Sequence, residues 1–597
     1  ELSFASTTDE SFPIYMRGMN WGKVEEYLKE DLHLSDAVIP TNYAIELSVN
    51  VRGHEGAEKS EFNGTVTIYL DIIRPTKSIE VHSNGLIIEE ARLINSQIMS
   101  NEATVVKISS NPERETITIH TNRSILAGEK FLLKITYRGV AKMDEYGLYE
   151  SWDPKFNKSL DSNGPFILAS NNYPTGARFW FPCFDEPDRK STFELQVNHP
   201  SGLNVYSNTD VERVESINDD RKLTVFAKTR LLPTYQVALF VNHLAAQILD
   251  VEGFGKVRVI SSANSHIYYQ HPFPRPSGDG WIRYEIVFAE FIKRNLELLR
   301  ANSDIEMPKE KLDIIVLEGT HSQSFQPGLV TIGRSLFWPP NSGLKTVHED
   351  LAQILIGNQI PVRNFDHMWL NSMFSSYLMD DHEPKASRIS NERRPDLVMF
   401  ASRHERPLRD KMTHTTTTKQ FLASKNALPS QKASQLLKLV TRFCSSSGKT
   451  IKEYIIKHVH LYADIDDFID TLSASCDDPV VAKEFLESYI DQPGKPFISV
   501  KRNNETVTIT QTRYLSTSFD ADLRDDKTRY TIPIFYKIDG ESAVKVFRKN
   551  ESSLTFEIPA SSFFLIDFQY DFLYLAYYED LIVVPQQNMT IEDKRDV

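Results

Sequence analysis

From residue 36 to about residue 248 the apolar residues of this chain recur at every second position. YAIELSVNV (43–51), GTVTIYLDII (64–73), TITIHTN (116–122), KFLLKITYRG (130–139) and KSTFELQVNHP (190–200) alternate or run β-branched, with Gly, Asn, Asp and Pro between them. A period of two places successive side chains on opposite faces of a sheet, so this block reads as a large β-rich domain. The period changes after HPFPRPSGDG (271–280). WIRYEIVFAEFIKRNLELLRAN (281–302) repeats apolar residues at helical spacing, KLDIIVLEG (311–319) reads as a lone strand, and 345–357, 366–380, 431–445 and 479–491 read as helices. After PGKPF short strands return, FISVKRN, ETVTITQTRYL, YTIPIFYKI, AVKVFRKN, SLTFEIP and FFLIDFQY, which suggests a small β-sandwich. The blocks are therefore 1–35, a polar extension or stalk; 36–248, β-rich; 249–493, mainly helical; 494–585, the sandwich; and 586–597, a polar tail.

A chain of 597 residues exceeds what one core serves, and two to four domains are expected. With 67 basic and 81 acidic residues the net charge is −14, which argues against nucleic acid and anionic lipid as partners. Three cysteines, Cys183, Cys444 and Cys476, exclude a disulfide framework and a Cys-rich zinc module. Cys444 and Cys476 are close enough in sequence to pair in an extracellular chain; three buried thiols fit equally well. No stretch reaches the ~18 apolar residues of a membrane span. The chain starts at Glu1 instead of Met and reads as a processed or trimmed piece. Six N-x-S/T sequons, at Asn63, Asn122, Asn157, Asn504, Asn550 and Asn588, suggest glycosylation and secretion.

LSDAVIPTNYAIEL, ARFWFPCFDEPDRKSTFEL, PTYQVALFV, PGLVT, the IGN and WLN segments, and SVKRNNETVTITQTRYL follow one another in order. Together they resemble the gluzincin aminopeptidases of the aminopeptidase N type, over about residues 35 to 585. The resemblance implies an α+β multidomain fold: a β-saddle domain, a thermolysin-like domain and a β-sandwich, with the family's large C-terminal helical domain absent from this chain.

The family's zinc helix carries two histidines at i and i+4, which share a helix face, with a glutamate beside the first to take a proton from the zinc-bound water. In TVHEDLAQILIGNQ (346–359), Gly357-Asn358 and Trp369-Leu370-Asn371 set the register without gaps. The first ligand position becomes Glu349, the general-base position Asp350, the second ligand position Gln353 and the third Ser372. His348 lies one residue early, turned ~100° around the helix, and in its own register the partner position is Ala352. The family glutamate that grips the substrate amine aligns with Phe325, within 322–326 of the loop before Pro327-Gly328. The oxyanion tyrosine aligns with Pro429, which has nothing to donate. Tyr173 stands where a family glutamine helps to hold the amine. His348 and His367 read as surface or half-buried helix histidines, and Asp380-Asp381-His382-Glu383 as a solvated helix end.

The expected function is therefore non-catalytic, with no cofactor. The chain reads as an aminopeptidase-like ectodomain of a membrane-anchored protein, at the cell surface, recognising an extracellular or cell-surface protein as receptor, co-receptor or adhesion module. Membrane contact is expected only through a segment outside this chain. The alternatives are a metallo-aminopeptidase with a rearranged metal site, or a peptide trap that binds without cleaving.

Overall fold

The computed structural model describes residues 33–96, 104–143, 146–152, 166–242, 246–250, 256–262, 268–270, 281–283, 311–317, 323–333, 362–363, 365–379, 407–409, 429–458, 461–515, 526–539, 541–566 and 573–579, with 293, 297 and 360. The chain divides into two compact units: residues 1–365 with 414–423, and residues 366–413 with 424–597.

In the first unit the alternating segments build a seven-stranded sheet. Its order is Val211–Ser216, Arg221–Phe226, Thr192–Pro200, Val38–Asn50, Glu61–Ile72, Lys130–Val140, Ile87–Asn95. Val38–Asn50 runs parallel to Thr192–Pro200, with Tyr43 opposite Phe193, and antiparallel to Glu61–Ile72. Tyr43, Ile45, Leu47, Val49, Val66, Ile68 and Leu70 are all buried, whereas Glu46, Asn50, Asn63 and Tyr69 face solvent. One face is packed and one is wet, the arrangement that a period of two demands. The core continues through Leu133, Ile135 and Tyr137 to Trp180, Phe181 and Phe184. A three-stranded sheet (Thr76–His82, Thr116–Ile125, Val105–Asn111) and a four-stranded one (Asn204–Ser207, Leu239–Asn242, Phe166–Asn171, Gly147–Trp152) belong to the same unit.

The segment expected as a lone strand is not alone. Leu312–Leu317 is the centre of a five-stranded sheet ordered Ala246–Asp250, Val257–Ser262, Leu312–Leu317, Leu329–Gly333, Gln323–Gln326. It pairs in parallel with Val257–Ser262 and Leu329–Gly333. Its neighbours are short, and one of them, Val257–Ser262, is distant in the chain, so no window held enough residues to show their period. Trp281–Arg283, expected to open a helix, instead pairs antiparallel with Tyr268–Gln270. Tryptophan and isoleucine are good strand formers, and this pairing overrides the helical spacing of the longer window. The remainder of 281–302, and the helix expected at 345–357, lie outside the described residues apart from 293 and 297.

The second unit holds the expected helices as Trp369–Met379, Pro429–Phe443 and Pro479–Ile490, plus Ser447–His458 and Ile465–Ala474, which the periodicity did not single out. Their start signals are plain. The Asp464 carboxylate accepts from the backbone N–H groups of Asp466 (2.9 Å) and Asp467 (3.2 Å), and Asp478 caps a helix whose first residue is Pro479. Two sheets follow: Leu554–Glu557, Thr506–Arg513, Pro496–Asn503, Leu575–Tyr578 in one, and Glu541–Phe547, Ile532–Ile538, Phe564–Ile566 in the other.

Cys444 and Cys476 are bonded, with Cα atoms 5.0 Å apart, in a small buried cluster with Ala482. Cys183 is free and buried. Closing a loop over a separation of 32 residues limits the unfolded chain by about 3–4 kcal/mol. Cys444→Ser should lower stability by about that much. Thiol titration of the denatured, unreduced chain should find Cys183 alone reactive; three reactive thiols before reduction would show the pair open.

Candidate functional site

The positions that carry the chemistry in the resemblance are placed unequally by the fold. Glu349, Asp350 and Gln353, with His348 and Ala352, lie outside the described residues, as do Asp380-Asp381-His382-Glu383, Asn157 and Asn588. Ser372 lies on helix Trp369–Met379, Pro429 is the first residue of helix Pro429–Phe443, and Phe325 is in strand Gln323–Gln326 opposite Val330. A proline fits the first position of a helix because the N–H it lacks has no helical partner there. His367 is half-buried in the short 3-10 turn Phe365–His367. Asn63, Asn122, Asn504 and Asn550 are all exposed.

The 322–331 segment, expected as a loop, is an antiparallel hairpin turning at Pro327-Gly328. Its strands have four and five residues, too short for a legible alternation. Gly328 has φ +79°, and a Cβ there would lie 1.8 Å from the Asn208 carbonyl oxygen. The Asn208 amide ties this turn to the 236–238 segment. Its Nδ2 donates to Pro327 O (2.7 Å) and Gln236 O (2.8 Å), while Oδ1 accepts from Ala238 N–H (2.8 Å). Ser324 Oγ donates to Ser170 O (2.9 Å), and Ser170 Oγ accepts from Leu239 N–H (2.8 Å). The hairpin, and with it the backbone of Phe325, is thereby fixed to the 166–242 region.

Tyr173 stands in that region, joined to Pro174 by a cis peptide bond and 38% exposed. Its ring meets Tyr235 edge to face at 5.7 Å. Tyr235 is buried, which pushes its hydroxyl well above the usual tyrosine range. Below it, Asn172 donates from Nδ2 to Val237 O (2.6 Å) and accepts from Trp180 Nε1 (3.0 Å). Tyr173 thus brings an aromatic ring to a position where the resemblance implies an amide.

The ARFWFPCFDEP segment is held by a buried ionic cluster that sequence reasoning did not single out. Arg178, 0% exposed, donates from Nε to Asp185 Oδ2 (2.8 Å), from one Nη to Glu115 Oε2 (2.8 Å) and from the other to Asp185 O (3.1 Å). Thr234 Oγ1 donates to Asp185 Oδ1 (2.5 Å), and Asp185 N–H donates to His82 Nδ1 (3.2 Å). Burial, reinforced by Arg178, keeps the His82 ring well below the usual histidine pKa and therefore neutral. Glu186 accepts from Leu34 N–H (2.8 Å), and Arg189 reaches Asp36 (2.6 Å), so the same segment ties down residues 34–36. These titratable groups are consumed by folding, each by a named partner. Among the described residues no group of three or more His, Cys, Asp or Glu side chains converges as metal ligands.

Comparison with known proteins gives the site its context. The Peptidase M1 N-terminal domain family matches residues 39–236. The chain is similar to the alanine/arginine aminopeptidase of Saccharomyces cerevisiae, 25% identical over 567 residues, covering 92% of this chain and 62% of that protein. It is also similar to aminopeptidase 2, mitochondrial, of the same organism, 23% identical over 578 residues (92% and 56%), and to the glutamyl aminopeptidase of Sus scrofa, 21% identical over 552 residues (87% and 54%). In each case the chain spans less than two thirds of the relative's length.

Proposed function

Because this chain belongs to the M1 peptidases of the aminopeptidase N type, we propose that it keeps their scaffold as a non-catalytic ectodomain acting in extracellular protein recognition. The observation that carries this reading is the donor set in the family's register: Glu349, Gln353 and Ser372, a carboxylate, a neutral amide and a hydroxyl. Zinc sites are built from thiolate, imidazole and carboxylate. One such donor out of three does not fit the ion, and no hydrolytic step is derived through it.

Three further changes point the same way. Asp350 is one methylene shorter than the glutamate of the family and has no activated water to serve. Phe325 and Pro429 remove the carboxylate for the substrate amine and the hydroxyl for the oxyanion. A cavity that lost its cation while keeping its carboxylates would leave charges unpaired, at several kcal/mol each. Phe325 and Ser372 each take a carboxylate out of the set while Glu349, in a histidine position, puts one back, so the net loss of one carboxylate eases that cost.

The disulfide between Cys444 and Cys476 supports an oxidising, extracellular compartment, and the exposure of Asn63, Asn122, Asn504 and Asn550 is compatible with glycans there. The partner is proposed to be an extracellular or cell-surface protein, and the chain the ectodomain of a membrane-anchored one. The test is hydrolysis of alanyl, leucyl and glutamyl arylamides with zinc supplied. No turnover above buffer is expected; chelator-sensitive turnover would refute the proposal.

A further inference from the structure

We propose that strand Glu541–Phe547, at the edge of its sheet in the second unit, pairs antiparallel with the same strand of a second copy of this chain, centred on Ala543. The inference concerns the second unit alone and does not depend on the state of the peptidase site. The strand ends the order Glu541–Phe547, Ile532–Ile538, Phe564–Ile566, and residues 541 to 545 are all exposed. An open edge is normally blunted by a bulge or a cover. The exposed edge strands Val211–Ser216, Val105–Asn111 and Ile87–Asn95 follow that rule: each is interrupted by a shift of register, between Val211 and Arg213, Val105 and Lys107, and Ile88 and Glu90. Glu541–Phe547 keeps an unbroken register with Ile532–Ile538 over its whole length.

The turn fixes which groups point outward. Ile538 and Glu541 close a two-residue turn with Asp539 at φ +51°, so this pair exchanges its backbone hydrogen bonds. Alternation then directs the N–H and C=O groups of Glu541, Ala543, Lys545 and Phe547 inward, and those of Ser542, Val544 and Val546 away from the sheet. Pro533 agrees: it has no N–H and stands opposite Val546, where none is needed. Among the described residues no hydrogen bond meets the outward groups.

Charge selects the occupant. With the pairing centred on Ala543, Glu541 of each copy stands opposite the partner's Lys545, and Ser542 opposite the partner's Val544. The Ser542–Val544 pairs carry the backbone hydrogen bonds, and the oppositely charged pairs fall at the positions between them, where side chains stand closest. Centred on Val544 instead, Glu541 would face Phe547 and neither charge would be answered. Lys545 Nζ donates to Thr555 O (2.8 Å), which holds the ammonium in place and leaves it N–H donors for a carboxylate. Glu541 makes no ion pair among the described residues. One strand pair buries less than the about 1,200 Å² of a standard complex, so the dimer is reversible and concentration-dependent.

The test is sedimentation equilibrium of the full chain from micromolar to submillimolar concentration. Reversible monomer–dimer exchange is expected, weakened about tenfold or more in Glu541→Lys and in Lys545→Glu, each of which sets like charges opposite one another twice. An equimolar mixture of the two variants should dimerise as the parent does, because the mixed pair restores both contacts; a defect of folding would not be repaired by mixing. Ala543→Cys should form a disulfide-linked dimer under mild oxidation, and Ser542→Cys, offset across the axis, should not. A monomer at every concentration, a dimer indifferent to both charge variants, or equal cross-linking of Ala543→Cys and Ser542→Cys would overturn the proposal.

Discussion

Arg178→Met should destabilise the first unit by about 3–5 kcal/mol, the cost of removing one partner from a buried ion pair. The guanidinium answers two carboxylates, Asp185 and Glu115, each at 2.8 Å, and also the carbonyl of Asp185. Methionine fills much of the volume but leaves both acids without their counter-charge where side-chain exposure is 0% for Asp185 and 8% for Glu115. Neutralising them by protonation would shift that cost without removing it. Arg178→Lys should recover only part of the loss, because a single ammonium cannot present the planar fork that spans both acids. Urea denaturation followed by circular dichroism measures both. A loss below about 1 kcal/mol for Arg178→Met would mean that the cluster contributes no more than an exposed pair.

The second large effect is at the hairpin turn. Gly328→Ala combines a backbone conformation that costs an L-residue roughly 1–2 kcal/mol with a collision that no side-chain rotation relieves. The atom that the new Cβ meets at 1.8 Å is a backbone oxygen, and the Asn208 Cα and carbonyl carbon lie within 3.1 Å as well. The turn must move, which breaks the bond from Asn208 Nδ2 to Pro327 O. The damage should be concentrated in the hairpin, seen as faster amide exchange in Leu329–Gly333 by at least about tenfold. Gly202→Ala is the control: its added Cβ meets nothing within 4 Å, and exchange in the same strand should not change.

How much was legible depended on strand length and on distance along the chain. The strands of 9 to 13 residues such as Val38–Asn50, Glu61–Ile72 and Thr192–Pro200 each bury one face, and their period of two is plain. Helix Pro479–Ile490 carried both a capping aspartate and an initial proline. The five-stranded sheet was obscured because its strands have only four to six residues, and because its central strand, Leu312–Leu317, pairs in parallel with Val257–Ser262 far back along the chain. The Arg178 cluster was invisible for a related reason. Glu115 is 63 residues from Arg178, and no local pattern announces that two such side chains meet. Asn208 and Gly328 were likewise joined only by the fold, although a glycine after a proline between two apolar runs is a turn signal in its own right. The proposal of a degenerate site rests on register against the family's motifs, since Glu349, Gln353 and Ser372 have no period or spacing that would mark them as ligand positions without it.

That register can be tested on the metal itself. Zinc stoichiometry of the full chain, after equilibration with micromolar zinc and removal of free ion, should be near zero. The variant carrying Glu349→His, Gln353→His and Ser372→Glu should retain about one zinc per chain, because it restores the imidazole and carboxylate donors that hold the ion. About one tightly held zinc in the unaltered chain, lost on Glu349→Ala, would contradict the account.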